Sequence, residues 1–401
     1  MLNHPILPRT RFRPHHILVG VLTALLFVLA AKQDVFRDHF QHANFAELLA
    51  HKVESPPHFV YHLLVILVNT VTSFSFLNSG FVVIGLSVFF TFLFLMEYLQ
   101  LSAPTTYRAP LAVLCLALFF LHPIPLLYWR DKHLYYGYMA PNIFHNPTVI
   151  LLKPLALLHF MMFTHLIKES SYKLKNVILL GLLTGVSILA KPSYMMTLLP
   201  AAVLIWLFSL IRNKRFSNEA TKLIILGLVL PTVALIGWQF FRTFGPQGAD
   251  VTRWNKGKLV FSPLELFSYY SSTISFIPKV LGSLAFPLSI VFFHLKTAKR
   301  SFDFQLAVVN MLVAAVFNYC LVDKGGCFLC GDFGWSSQIA LFLLNCVSLK
   351  IFFQSIDFST DGFTDTRAKL AIAIPMALFT LHVISGVFWY SSNLFPAHFT
   401  P

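Results

Sequence analysis

The sequence predicts an all-α membrane protein that crosses the bilayer many times. Of its 401 residues, 57% are hydrophobic and only 11% are charged, whereas a soluble chain has roughly 25% charged residues. The apolar residues form runs close to the roughly 20 residues that a helix needs to cross a bilayer core. They do not alternate with polar residues, as the strands of an outer-membrane barrel would. Helices are therefore expected to fill the chain.

Eleven apolar runs are predicted to be transmembrane helices. They cover residues 17–31, 80–98, 109–128, 147–167, 177–190, 194–211, 223–241, 276–295, 304–322, 339–353 and 370–390. A further apolar segment, 59–76, is more polar than its neighbours, and counting it as a span would put the later basic loops on the wrong side of the membrane. We therefore expect 59–76 to be a juxtamembrane helix at the membrane surface.

The positions of Lys and Arg predict the orientation. With eleven spans, the basic connections 168–175, 212–222 and 296–300 lie on the same side as the arginines of segment 9–13, which the positive-inside rule makes the cytoplasmic side. The first span has no small-residue cleavage site after it and is expected to remain as a signal anchor. The net charge of +14 then reflects orientation, and a nucleic-acid partner is not expected.

The first outer connection, 32–79, brings acids and histidines next to the membrane. Asp34, Asp38 and His42 follow the first span. A carboxylate at this depth suits a general base, because partial desolvation raises its proton affinity. Helical spacing also puts Asp38 and His42 on one face, as in some metal sites. A solvated amphipathic helix over 34–49 explains the same residues, and composition alone favours it.

The second outer connection contains Asp131, His133 and His145, and Lys153 lies about two turns inside the span that follows. A charged side chain inside the membrane usually faces a cavity or a partner rather than lipid, which makes Lys153 a functional candidate. Snorkelling of the lysine to the interface is the alternative.

The third outer connection is a short turn, Lys191-Pro192-Ser193. Proline disfavours helix at the residue before it, so the Lys191 ammonium can project from the turn and pair with an anion such as a phosphate. An ordinary hairpin turn with an interfacial lysine is the alternative.

Two later outer connections contain further candidates. Arg253 and Lys256 lie in 242–275 and suit a phosphate or sugar, although loops beside anionic membranes have the same composition. A glycine-rich segment contains Asp332 and Trp335 near the membrane. The cysteine pair in this segment, at 327 and 330, is poor evidence for zinc because no second pair accompanies it.

Taken in order, these segments resemble the GT-C superfamily of integral-membrane glycosyltransferases, which includes protein mannosyltransferases and aminoarabinose transferases. The resemblance lies in the acid-bearing first outer loop, in SPPHFVYHLL at the start of the juxtamembrane helix, and in GLLTGVSILAKPSYMMTLLPA. HNPT at 145–148 and GDFGW at 331–335 also look like segments of bacterial members. The resemblance implies a catalytic module over 1–275, with its juxtamembrane helices in 32–79, followed by transmembrane helices over 276–401.

The resemblance also implies an activity and the residues that perform it. Such enzymes take a sugar from a polyprenyl-phosphate carrier and pass it, with inversion, to a glycan, lipid or protein acceptor on the outer face of the membrane. Asp34 or Asp38 would be the general base. Lys191 would bind the lipid phosphate, helped by Arg253 or Lys256.

A divalent cation is the cofactor that the resemblance leaves open. Asp131 matches the position of a second acid that helps to hold a metal in some members. His133 and His42 would be its neighbours in a metal or substrate site.

Two other functions fit parts of the pattern. O-antigen polymerases and ligases also act on undecaprenyl-linked sugars, through a diphosphate, but they usually have their long loop late in the chain. A lipid or sugar transporter would tend to show internal symmetry or broken helices in both halves, and the sequence has neither.

Overall fold

The computed structural model describes residues 12–33, 38–53, 56–100, 108–131, 134–169, 173–213, 218–244, 258–324, 331–356 and 366–395. Its α-helices are α1 Pro14–Lys32, α2 Asp38–Ala50, α3 Val60–Thr72, α4 Phe76–Gln100, α5 Arg108–Phe119, α6 Tyr128–Asp131, α7 Pro147–Lys168, α8 Leu174–Ala190, α9 Ser193–Asn213, α10 Asn218–Ile224, α11 Leu230–Phe244, α12 Glu265–Tyr270, α13 Phe276–Arg300, α14 Phe302–Cys320, α15 Gly334–Ser355 and α16 Thr366–Leu394. A π-helical turn, Ile225–Val229, joins α10 to α11, and the two short strands are β1 Lys258–Phe261 and β2 Leu321–Lys324.

The prediction of a helical, multi-pass membrane protein is confirmed. Within the described residues, nine helical segments are long and apolar enough to cross a membrane. The predicted spans 109–128 and 177–190 correspond to α5 and α8, which have only 12 and 17 residues. The count of eleven spans therefore stays a prediction.

The core of the bundle is formed by α7 and α15. Both helices are buried on nearly all sides, with 83% of the membrane-length window of α7 and 89% of that of α15 inside the protein. Helix α15 packs against α4, α7, α9, α13 and α14, and α7 packs against α4 and α8. Helices from 276–401 therefore share one core with helices from 1–275, and the predicted boundary at 275 stays a prediction.

Helices α2 and α3 form the first predicted outer connection. Each has 13 residues, which is too short to cross a bilayer core. One face of α3 buries Tyr61 and His62, whereas Leu67 and Val71 on another face are exposed. A short helix with one packed face and one exposed apolar face suits a position along the membrane surface, as predicted for 59–76.

The predicted span 109–128 is helical only as far as Phe119, and an irregular segment follows. The reason is local. Pro123 and Pro125 lack the backbone N–H that a helix needs, and His122 is disfavoured in a helix because it precedes a proline. The length and apolar composition of the run do not predict this end of the helix.

Residues of helices α13 and α16 form hydrogen bonds with backbone groups of the irregular segment. Ser385 donates from Oγ to the Pro123 carbonyl at 2.6 Å, and His382 donates from Nδ1 to the His122 carbonyl at 2.7 Å. The Ile124 N–H donates to the carbonyl of Gly282 at 2.9 Å. Irregular backbone within a membrane bundle is tolerated only where protein surrounds it in this way.

A glycine on α16 permits this packing and gives a first testable prediction. A Cβ at Gly386 would overlap the backbone carbonyl of Phe120, whereas Gly237 on α11 has no heavy atom within 4 Å of a built Cβ. Gly386→Ala is expected to destabilise the protein by about 1–3 kcal/mol or more through overpacking. Gly237→Ala should be neutral or stabilising by up to about 1 kcal/mol. Thermal unfolding in detergent checks the difference, and equal midpoints for both variants would contradict it.

Strands β1 and β2 join two predicted outer connections, and the sequence alone does not predict this pairing. They pair antiparallel with Leu259 opposite Asp323, and Lys324 forms a 2.8 Å ion pair with Glu265 at the start of α12. Four-residue strands are at the lower limit of what alternation can reveal. The pairing brings 258–270 to the same end of the bundle as the start of α15.

A charge cluster lies at the opposite end of the bundle. Asp303, at the start of α14, is buried and pairs with Lys168 at 2.5 Å and Lys350 at 2.8 Å. Lys350 also lies 4.1 Å from the ring centre of Tyr98. The far ends of α4, α7 and α15 therefore meet the start of α14, as consecutive spans of alternating direction require.

Candidate functional site

Side chains from four separate connections meet at the end of the bundle where α7 and α15 begin and α8 ends. We call this set the Lys191 cluster. Its members are Asp38 from α2, His145 and Thr148 at the start of α7, Lys191 from the α8–α9 turn, and Asp332 and Trp335 at the start of α15. Five of these six, all except Thr148, are candidates from the sequence.

Lys191 is the buried cation of the cluster. Helix α8 ends at Ala190 and Lys191 is extended, with φ −168° and ψ 128°, as its position before Pro192 predicts. Its Nζ donates to Thr148 Oγ1 at 3.1 Å and lies 5.2 Å from the ring centre of Trp335. Both contacts are neutral, and only 9% of the residue is exposed. A buried ammonium with neutral contacts is costly, and such a group favours an anionic ligand.

Asp38 is the half-buried carboxylate of the cluster and begins α2. Asn146 makes a long contact to it, 3.5 Å from Nδ2 to Asp38 Oδ2. Asn146 is itself fixed, because its Oδ1 accepts from the Val149 N–H at 3.1 Å and from the Thr148 hydroxyl at 2.8 Å. This is an N-cap of α7, and the helix dipole there favours a negative charge.

Asp332 and His145 complete the cluster around Trp335. The Trp335 indole N–H donates to Asp332 Oδ1 at 3.3 Å. The His145 ring lies 5.8 Å from the ring of Trp335. Burial lowers the pKa of Lys191 to about 8, and the charges of Asp332 and Asp38 oppose this change. Both acids are therefore close enough to act on the ammonium electrostatically.

A group of histidines lies beside the cluster. His42 Nδ1 and His62 Nε2 share a hydrogen bond of 3.0 Å, and their rings stack. His39 Nε2 donates to the Phe144 carbonyl at 2.6 Å, which ties α2 to the segment before α7. His42 thus pairs with His62 from α3, and its predicted place with Asp38 on one face of a metal site stays a prediction.

Burial favours the neutral form of four histidines around Lys191, namely His42, His58, His62 and His145. Burial lowers the pKa of His58 to about 3 and those of His62 and His145 to about 4, and the positive charge of Lys191 lowers each further. Burial also lowers the pKa of His42 well below its usual value. The positive charge in this part of the site therefore comes from Lys191.

Asp131 lies outside the Lys191 cluster. Its Oδ2 pairs with Lys279 Nζ at 2.7 Å, and the same Nζ donates to the Tyr136 carbonyl at 2.9 Å. Lys279 is fully buried. The sequence offers no sign of this pairing, because Lys279 lies in a later span.

The described residues do not fit a divalent cation. Within the described ranges, no three His, Cys, Asp or Glu side chains are arranged to hold a metal ion. Lys279 neutralises Asp131, and His42 is paired with His62. No chemical step is therefore assigned to a metal.

Lys153 lies deeper in the bundle and has a structural contact. Only 3% of it is exposed, and its Nζ donates to Asn142 Oδ1 at 2.6 Å. The Asn142 amide in turn donates to the carbonyls of Leu118 and Leu121 at 2.7 and 3.2 Å. Lys153 therefore holds the end of α5 and does not snorkel to an interface.

Four candidates lie outside the described residues. They are Asp34, His133, Arg253 and Lys256. Their roles stay predictions, as does the choice between Asp34 and Asp38 as the base.

A cavity of about 120 Å³ adjoins the cluster at Trp335. We call it the aromatic cavity, because Tyr135, Tyr136, Tyr270 and Trp335 line it, together with Gln338. Gln338 Nε2 donates to the Tyr135 hydroxyl at 2.9 Å. Apart from Trp335, these residues are not candidates from the sequence, and the only signal for them is the aromatic run YYGYM after Asp131.

Comparison with known proteins adds no family to these observations. No protein-family model matches the chain, and no curated protein matches it.

Proposed function

We propose that this protein is an integral-membrane glycosyltransferase of the GT-C type, which passes a sugar from a polyprenyl-phosphate donor to an acceptor with inversion. The observation that carries the proposal is the meeting of a buried ammonium, Lys191, with a carboxylate, Asp38, at one end of a multi-span bundle. In the proposed reaction, a lipid-linked phosphate would approach this end from the bilayer. The cation fits the phosphate, and the carboxylate fits the acceptor hydroxyl.

The proposed reaction uses the two groups together. The acceptor hydroxyl gives its proton to Asp38, or to Asp34, as its oxygen attacks the anomeric carbon. The bond from the anomeric carbon to the phosphate oxygen breaks, and polyprenyl phosphate leaves with the electron pair. Lys191 holds the charge that develops on this phosphate, and its fixed position lowers the barrier without reorganisation.

The proposal includes a location and an orientation. The protein would lie in the plasma membrane with its N-terminus in the cytoplasm and the Lys191 cluster facing outward. The Asp303 cluster would then face the cytoplasm, as the basic connections 168–175, 212–222 and 296–300 require.

The lysine gives the proposal a pH dependence. Because the pKa of Lys191 is lowered to about 8, its charged form is complete well below pH 8 and is lost as the pH rises through that value. We expect kcat/KM for the donor to fall above about pH 8, since this ratio reports on the free enzyme. The activity of the Lys191→Arg variant should not fall over the same pH range, because arginine stays charged. A wild-type profile that is flat from pH 7 to 9.5 would contradict the role of Lys191.

The test of the proposed function is a transfer assay on the purified full-length chain in liposomes. Donors with a labelled sugar on a polyprenyl monophosphate or diphosphate are supplied, with native membrane extract as the acceptor source. We expect covalent label on the acceptor from the monophosphate donor. Exclusive use of the diphosphate donor would indicate a polymerase or ligase, and label that crosses the bilayer without covalent transfer would indicate a transporter. Either result would refute the proposal.

A further inference from the structure

The aromatic cavity has the walls of a sugar-binding site. The rings of Tyr136 and Tyr270 stack with centres 4.7 Å apart and planes within 6° of parallel. Trp335 adds an indole at the border with the Lys191 cluster. Aromatic faces carry partial negative charge, and the C–H bonds on one face of a pyranose ring carry partial positive charge. Such walls therefore attract a sugar ring.

The cavity also has an unsatisfied hydrogen-bonding group. Gln338 lines it and is only 5% exposed. Its Nε2 donates to Tyr135, whereas its Oε1 is buried and has no hydrogen-bond partner within the described residues. A buried acceptor left unpaired costs free energy, and a ligand hydroxyl would satisfy it. Asn318 and Ser337 offer further polar groups on the lining.

The charge around the cavity favours a neutral ligand. No charged side chain of the described residues lines it. Two ion pairs lie close to the lining: Lys279, next to Gly137, pairs with Asp131, and Glu265, next to Leu266 in the chain, pairs with Lys324. A phosphate or carboxylate would find no cation within the lining.

The size of the cavity matches one sugar ring. One buried water needs roughly 10–15 Å³ of cavity volume. A cavity of 120 Å³ therefore holds on the order of ten groups of the size of a water molecule. A single hexose fits, whereas an oligosaccharide would extend out of the opening.

The position of the cavity relates it to the Lys191 cluster. Tyr135 lines the cavity, contacts the ring of His145 at 6.2 Å and is close enough to Asp38 to interact with its charge. Lys191 and Thr148 do not line the cavity. Trp335, which lines the cavity, has its ring centre 5.2 Å from Lys191 Nζ. A ring in the cavity would thus lie beside the cluster, next to the phosphate position without occupying it.

From these observations we propose that the aromatic cavity binds a neutral hexose ring of the acceptor. The acceptor is then a molecule that ends in a sugar. The assignment of the bound sugar to the acceptor rests on the proposed function. The binding of a neutral sugar does not depend on it.

A direct binding measurement tests the sugar site. The purified full-length chain is titrated with methyl glycosides of glucose, mannose and galactose, without donor, and saturation-transfer NMR reports contact with the ring protons. We expect saturable binding of at least one glycoside. Tyr270→Ala and Gln338→Leu should each weaken it by at least tenfold. The control is Tyr269→Ala, because Tyr269 is on the same short helix, is 63% exposed and does not line the cavity.

Thermal unfolding midpoints verify that each variant is folded. Tyr270 is half-exposed on a short helix, so the Tyr270→Ala variant tests the site even if Gln338→Leu does not fold. The absence of saturable binding by all three glycosides would overturn the inference. Equal affinity in Tyr270→Ala and Tyr269→Ala would also overturn it.

The transfer assay separates acceptor from donor. Tyr270→Ala should raise KM for the acceptor and leave KM for the donor unchanged, and the reverse result would overturn the assignment to the acceptor. Glycoside binding by a chain that transfers no sugar would refute the proposed function and support the sugar site. Transfer by a chain that binds no glycoside would refute the sugar site alone.

Discussion

Replacing Lys191 with methionine is expected to lower kcat for sugar transfer by roughly 100- to 1,000-fold, the loss that follows removal of one preorganised group that stabilises transition-state charge. Methionine keeps the length and apolar stem of lysine but cannot hold the charge on the leaving phosphate. The thermal unfolding midpoint should stay the same or rise. A buried ammonium with neutral contacts at 3.1 and 5.2 Å costs stability, and an apolar replacement of similar volume removes that cost.

The combination of lost activity and retained stability distinguishes a functional lysine from a structural one. Lys258→Met is the matched control, because Lys258 is exposed on β1 and should tolerate the same change. If Lys191→Met melts at a much lower temperature, or transfers sugar as fast as Lys258→Met, Lys191 does not have the proposed role.

Replacing Asp38 with asparagine is expected to lower kcat by roughly 100- to 10,000-fold, the usual contribution of a general base. The amide is nearly the same size as the carboxylate, and its oxygen can still accept from Asn146 Nδ2. Folding should therefore be unaffected, while the acceptor hydroxyl loses the group that takes its proton. The readouts are single-turnover transfer and thermal unfolding.

Glu47→Gln is the matched control for Asp38→Asn, because Glu47 is an exposed acid on the same helix. Asp34→Asn, made in parallel, decides which of the two acids is the base. Full transfer by both aspartate variants would contradict the mechanism.

Much of the helical fold could be predicted from the sequence because bilayer thickness imposes a simple rule on span length. The short helix α3 at 60–72 and the end of α8 at Ala190 agree with the predicted helices, and the position of α3 at the membrane surface stays a prediction. The early end of α5 is not predicted, although Pro123 and Pro125 mark it, because the apolar run continues through these residues. The pairing of β1 with β2 is not predictable because each strand has only four residues.

The candidate site was predictable where a residue has an unusual local setting. Lys191 is conspicuous because a proline follows it between two apolar runs, and Asp38 because it follows the first span. The neighbours that they find are not predictable, because they come from distant segments. Gln338 and Tyr135, for example, are 203 residues apart. Asp131 is a candidate that the structure places elsewhere. Its loop position resembles that of an active-site acid, but it forms an ion pair with Lys279.

The unpaired groups at this end of the bundle are the ones that point to function. Asn146 in its cap and Lys153 on Asn142 are buried polar groups near the site that have partners. Lys191 has only neutral contacts and Gln338 Oε1 has no partner within the described residues, and Gln338 lines the aromatic cavity. Natural proteins usually keep such local conflicts at functional sites.

The most direct test of the central claim is a single-turnover measurement on the reconstituted wild-type protein with a polyprenyl-monophosphate sugar of known anomeric configuration. One acceptor-linked sugar of inverted configuration should form for each polyprenyl phosphate released, with equal yields for Lys258→Met and Glu47→Gln and little or none for Lys191→Met and Asp38→Asn. Transfer at the wild-type rate by both of the latter variants, or release of polyprenyl phosphate without a glycosylated product, would contradict the claim.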